Sequence, residues 1–167
     1  MKRFRKILVP VNFSDDSANR LNYAASLAEE TQSELVVLHV TQKKEARSFV
    51  NFLALMEGWP MLNNPTAIPV DRLVREKALD LYRFIERVIR NPGRLKIRRK
   101  VALGHEQEKI LRVAREEDID LVVLGILNKS LFSNLMTRAK FLKTISRLPC
   151  PVLLRPALEN ASRSIPM

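Results

Sequence analysis

Five short strand-like runs, four of them built of branched apolar residues, are separated by segments with helical spacing and constrain the fold of this chain more than any other feature. The first run is Ile7-Leu8-Val9-Pro10-Val11 and the second is Glu34-Leu35-Val36-Val37-Leu38-His39-Val40. Runs this short and apolar on both faces fit strands that are covered on both sides. Pro10 is expected at the end of its strand, where a missing N–H is tolerated. The third run, Lys96-Ile97-Arg98-Arg99-Lys100-Val101, is heavily charged. That charge density fits a sheet edge, where cations deter pairing with other chains. Leu121-Val122-Val123-Leu124 and Val152-Leu153-Leu154 complete the set.

The intervening segments read as helices. Ser14 is a candidate N-cap, and Asp15 and Asp16 follow in the first turn, where they complement the helix dipole. Ala18, Leu21, Ala25 and Ala28 then share one face, as do Val74, Ala78, Leu81, Ile85 and Val88 in a second helix that Asn91-Pro92-Gly93 ends. After a turn at Gly104, Ile110, Leu111, Val113 and Ala114 mark a third helix, with Glu108 spaced to pair with Arg112. Ala139, Leu142, Ile145 and Leu148 mark a fourth, stopped by Pro149-Cys150-Pro151. Residues 41–69 are the least regular, reading as a short helix and then a loop. There Phe49, Val50, Phe52, Leu53, Leu55, Met56 and Trp59 are apolar without clear phase, and Pro60, Asn63, Asn64, Pro65 and Pro69 break the pattern.

This alternation implies the α/β class: a doubly wound five-stranded parallel sheet, strand order 3-2-1-4-5, with helices on both faces. Residues 1–156 form one domain in this reading, and residues 157–167 a flexible tail. Ligands of such sheets bind beyond the strand ends where the order reverses, here between the first and fourth strands. That places Pro10, Val11 and Asn12 opposite Leu124, Gly125 and the loop holding Asn128, Lys129 and Ser130. An apolar strand that delivers a glycine into a polar loop ahead of a helix is a common plan for a phosphate site.

Composition narrows the function classes. With 46% hydrophobic and 28% charged residues the chain reads as soluble and globular. No apolar stretch approaches the roughly 18 residues of a membrane span. The run behind the basic N-terminus is too short for a signal peptide, so the protein is read as cytoplasmic. The lone Cys150 excludes an intrachain disulfide, offers no metal cluster, and reads as a packing residue. Lys and Arg number 29 against 18 Asp and Glu, a formal charge of +11, which favours anionic partners. A basic module that contacts nucleic acid through residues 94–100 and the basic N-terminus is the alternative from another class, but no stacking motif accompanies those residues and aromatics make up 6% of the chain, so nucleic acid is not the expected partner. His39 and His105 have no nucleophile or acid partner recognisable in sequence, so both read as structural or solvent-facing and no enzyme is expected.

Four pieces in this order and spacing resemble the universal stress protein family over most of the chain. They are Lys6-Ile7-Leu8-Val9-Pro10-Val11-Asn12 with Ser14 behind it, the strand ending His39-Val40, Ile119-Asp120-Leu121-Val122-Val123-Leu124-Gly125, and Cys150-Pro151-Val152-Leu153-Leu154. The resemblance implies a non-enzymatic regulatory or stress-response protein, a homodimer paired through residues 152–154, and a nucleotide position. Family members that bind ATP are similar in a pattern of glycine, two residues, glycine, nine residues, glycine, then serine or threonine. Those positions here are Gly125, Asn128, Arg138 and Ala139. The binders' aspartate at the end of the first strand is Asn12 in this chain.

The departures have separate consequences. Asn128 still tolerates a left-handed backbone. Arg138 brings a long side chain where backbone should meet phosphate, Ala139 lacks a hydroxyl, and Asn12 lacks a charge. Each lost ligand hydrogen bond removes about 0.5–1.5 kcal/mol, so several together weaken ATP binding by orders of magnitude, and no cofactor is expected. The alternative is a member that holds ATP, AMP or another anion through Lys129, Arg138 and Lys140 instead of backbone amides. The candidate set is therefore Pro10, Val11, Asn12, Val40, Leu124, Gly125, Asn128, Lys129, Ser130, Arg138, Ala139 and Lys140. The apolar residues 49–59 are either a cap on the core or an exposed patch for a protein partner.

Overall fold

The computed structural model describes residues 4–42, 48, 70–126 and 135–156. Five parallel strands, β1 (Lys6–Val11), β2 (Glu34–Thr41), β3 (Ile97–Leu103), β4 (Leu121–Ile126) and β5 (Val152–Pro156), form one sheet in the order β3-β2-β1-β4-β5. The described helices are α1 (Asp15–Thr31), α2 (Val70–Val88), α3 (Glu106–Glu116) and α4 (Leu135–Ser146), with a short 3-10 turn at Pro92–Arg94. The expected order and the doubly wound topology are both present. The irregular stretch with Phe49 and Trp59, the loop with Asn128, Lys129 and Ser130, and residues 157–167 lie outside the described residues.

The apolar runs work because strand side chains alternate between two faces. On one face Ile7, Val9, Val11, Leu35, Val37, Leu121 and Val123 meet Leu21, Ala24, Ala25 and Ala28 of α1 and Leu81, Phe84 and Ile85 of α2. On the other, Leu8, Val36, Leu38, Val122 and Leu124 meet Ile110, Val113 and Ala114 of α3, with Phe141 and Ile145 of α4 packed against them. Register is consistent across the centre: Ile7 lies opposite Leu35 on one side and Leu121 on the other.

Local chemistry sets the element ends. The Ser14 hydroxyl accepts from Ser17 N at 3.2 Å, capping α1 as expected, and Gln32 closes that helix in a left-handed conformation at φ 54°. At the start of β1 the Asp120 Oδ2 accepts from Arg5 N at 3.0 Å and Lys6 N at 3.2 Å. The charged strand β3 is an outer strand, as its composition implies, but its cations are committed inside the molecule. Arg98 joins Glu34 at 2.9 Å to Glu117 at 2.6 Å, and Lys100 also holds Glu117. The hydrogen bond from Lys100, with Arg98 and Lys6 adding to it, draws the Glu117 carboxyl below its ordinary range. Part of the positive charge of this stretch is thus compensated.

Three expectations are corrected. Ala139 and Leu142 do not face the core: both are exposed, Leu142 at 60%, and the partly buried stripe runs instead through Phe141 and Ile145 of α4 and on to Leu148 beyond its end. Leu142 stands one residue, about 100° of turn, from Phe141 and so falls off that stripe. Arg112 turns forward to Glu116 at 2.9 Å, while Glu108 stays in the first turn of α3, where free N–H groups favour a carboxylate. Pro10 sits within β1, opposite Leu38 of β2, not at its end. The reason is geometric. Asp120 N donates to Lys6 O, so the even-numbered residues of β1 turn their main-chain groups toward β4. The missing N–H of Pro10 therefore falls on the β4 side, where pairing already stops at Leu8 with Val122. The sheet parts there between β1 and β4.

Candidate functional site

The parting at Pro10 opens a cleft of about 580 Å³ beyond the ends of β1 and β4. Pro10, Asn12 and Ser14 form one wall, Leu124, Gly125 and Ile126 the other; Asp16 and Arg20 of α1, Glu106, Gln107 and Ile110 of α3, and Lys140, Phe141 and Thr144 of α4 complete the lining. Of the expected site residues, Pro10, Asn12, Leu124, Gly125 and Lys140 are brought together. Val11 is buried beneath the cleft, where its carbonyl accepts from His39 Nδ1 at 3.0 Å. Val40 pairs with Ala102 on the far side of β2. Arg138 and Ala139 are exposed on α4 and do not line the cleft.

Asn12 is occupied within its own loop. Its Oδ1 accepts from the Ser14 hydroxyl at 2.6 Å and from Ser14 N at 3.3 Å, and its N–H donates to Ser17 Oγ at 3.4 Å. The group that would replace a ligand-binding carboxylate is thus an acceptor already in use, and only its amide N–H₂ remains for a ligand. Phe13, next in the loop, takes a left-handed backbone at φ 63°, which costs energy for a bulky residue. Its ring compensates by stacking on His39 at 4.2 Å and meeting Phe84 edge-on at 5.4 Å. His39 is therefore a buried packing residue that clamps this loop to β1. His105, by contrast, is exposed ahead of α3.

Sequence reasoning missed Arg20. The Pro10 carbonyl, freed from the sheet, accepts from Arg20 Nη2 at 3.1 Å. The guanidinium then lies against Gly125: a methyl group built on Gly125 would overlap Nη1 and stand 3.2 Å from Cζ. Gly125 has no Cβ because an internal side chain uses that space. Arg20 Nε is buried with no hydrogen-bond partner, an uncommon state for a charged group. Burial lowers the proton affinity of Arg20, and Glu106 and then Asp16 offset only part of that loss. Glu106 in turn is pushed up by desolvation and drawn back by Arg20. The signal available in sequence was an arginine next to Leu21, close to the apolar face of a helix packed on both β1 and β4.

The formal charges on the described lining cancel, with Asp16 and Glu106 against Arg20 and Lys140. Despite the chain's +11, the described lining carries no net charge to attract a polyanion. No nucleophile paired with a base lies on this lining. Cys150 is half-buried among the residues packed on Ile119 and Val122, and desolvation raises its thiol pKa. It packs; it is not activated.

Comparison with known proteins agrees with this architecture. A family model described as the universal stress protein family matches residues 3–156. The chain is similar to universal stress protein MJ0577 of Methanocaldococcus jannaschii, 22% identical over 154 residues that cover 90% of this chain and 94% of that protein. Among solved structures, universal stress protein UspA from Lactobacillus plantarum superposes with a TM-score of 0.63 at 19% identity, over 92% of this chain and 99% of that one. A universal stress protein in complex with cAMP superposes with a TM-score of 0.59 at 18% identity, over 93% and 99%. At these identities the structural likeness establishes the fold.

Proposed function

The chain belongs to the universal stress protein family, and from that premise we propose that it is a non-enzymatic regulatory stress-response member whose cleft keeps the nucleotide position without the chemistry that holds ATP. The observation that carries this reading is the Arg20 guanidinium lying against Gly125, the retained glycine of the family's ATP pattern. Three further features support it. Asn12 spends its acceptor on Ser14, the lining charges cancel, and Arg138 and Ala139 stand exposed where the pattern has glycine and a hydroxyl. A structural relative is in complex with cAMP, which supports a nucleotide as the class of ligand against which this cleft is tested. Residues 1–156 act as one functional unit in this reading.

A second reading, in which side chains replace the backbone amides, draws on Lys140, which does line the cleft. Calorimetric titration of nucleotide-stripped protein with ATP and with AMP separates the two. The first reading expects millimolar dissociation constants or no measurable heat. Micromolar affinity for either nucleotide overturns it in favour of the second.

We further propose that the chain is a homodimer paired through β5. This strand is an outer strand of the sheet and carries Leu154, which is 41% exposed. An open strand edge with an exposed apolar residue is a template for a second copy. Light scattering at micromolar concentration should return twice the mass of the chain; the monomer mass would contradict the pairing.

A further inference from the structure

We infer that Arg20 is the specificity-determining residue of the cleft, a built-in plug that occupies the ground beside Gly125 and thereby excludes a nucleotide. The inference deepens the proposed function and rests on its reading of the cleft, because it names the residue that keeps nucleotides out.

The chain of causes starts at Pro10. Proline has no N–H to give β4, so the sheet parts and the Pro10 carbonyl is left for another donor. Arg20 reaches it from α1 at 3.1 Å. This reach lays the guanidinium along the backbone at Gly125, where even a methyl group would collide with it. A glycine at a strand end normally lets a ligand's phosphate or ribose come close to the main chain. Here that approach is made by the protein itself.

Arg20 in this position also cannot serve as the ligand's partner. Nη2 is committed to Pro10 and Nη1 lies against Gly125. Nε is buried, so no ligand oxygen reaches it. Its charge already lies in the field of Glu106 and Asp16. An arginine that recruits phosphate needs its fork open and its field uncompensated; Arg20 has neither. The rest of the cleft remains spacious and carries an apolar floor of Leu124, Ile110 and Phe141. At Gly125 the steric obstacle to a nucleotide is the Arg20 side chain.

The test is calorimetric titration with AMP of the wild-type chain and three variants. Arg20→Ala clears the ground at Gly125 and keeps a strong helix former in α1. Arg20→Ala combined with Glu106→Gln clears it while leaving Lys140 and Asp16 to cancel. Arg20→Met removes the charge but keeps the bulk. Far-UV circular dichroism and thermal melts show which variants are folded. AMP affinity should rise by about tenfold or more in Arg20→Ala or in the charge-balanced double variant, and should stay at the wild-type level in Arg20→Met. Folded Ala variants that bind AMP no better than wild type overturn the inference, as does an Arg20→Met gain equal to that of Arg20→Ala. Loss of AMP binding on Arg20→Ala would make Arg20 a phosphate partner and overturn it outright. Failure of the proposed function reads out separately, as micromolar binding by the wild-type chain.

Discussion

Replacing Leu8 by alanine is expected to lower the free energy of unfolding by about 2–5 kcal/mol. Leu8 is 0% exposed and lies in the central strand. Its side chain belongs to the face where Val36, Leu38 and Val122 meet α3 and its neighbours. Helices cover both faces of this sheet, and the centre of β1 is held on each side by strands whose own apolar residues are fixed in register. The hole left by truncation therefore collapses only in part, and the cost lies above simple transfer of the lost atoms. Domains of this size are stable by about 5–15 kcal/mol, so the variant should retain its fold in buffer and melt earlier. Urea unfolding followed by far-UV circular dichroism gives the number: the midpoint should fall with the slope unchanged. A loss below about 1 kcal/mol would place Leu8 away from the core.

Replacing Asp120 by alanine is expected to cost about 1–3 kcal/mol. Its carboxylate, 9% exposed, accepts from Arg5 N and Lys6 N at the start of β1. Alanine leaves two backbone donors without an acceptor where the central strand enters the sheet. Asparagine keeps one oxygen in place and should recover most of the loss. The same urea titration distinguishes the two variants. Equal stability of Asp120→Ala and wild type would show that solvent satisfies those donors and that the carboxylate holds nothing. Asp120 enters the family resemblance as one residue of a motif; the structure gives it a structural task instead of a ligand.

The fold was legible because strand periodicity and helix periodicity are local properties of the chain. Residues 7–11, 35–38 and 121–124 are apolar at successive positions, and only a sheet covered on both faces buries them all. Strand order followed from the chirality and connection rules of such folds, not from any residue. What failed in sequence was phase and partner choice. The expected stripe of the last helix held at Ile145 and Leu148 and failed at Ala139 and Leu142, which are apolar but exposed, because apolar residues are free to stand on a surface. The Glu108–Arg112 pair failed because Glu116 offered Arg112 a second partner at equal spacing.

The site was legible in position and not in composition. Pro10, Asn12, Leu124, Gly125 and Lys140 converge as the topology requires. Arg20, Asp16 and Glu106 were invisible, because their importance depends on a carbonyl that Pro10 frees and on a space that Gly125 leaves. Both conditions are tertiary. A glycine in a motif suggests a ligand, and the same glycine in the fold turns out to have an intramolecular neighbour.

The most direct measurement is a crystal structure of the wild-type chain grown with millimolar AMP. The expected result is the Arg20 guanidinium on the Pro10 carbonyl and against Gly125, with no nucleotide between Asn12 and Gly125. Electron density for AMP on the Gly125 backbone, with Arg20 swung out of the cleft or bonded to the phosphate, would contradict it.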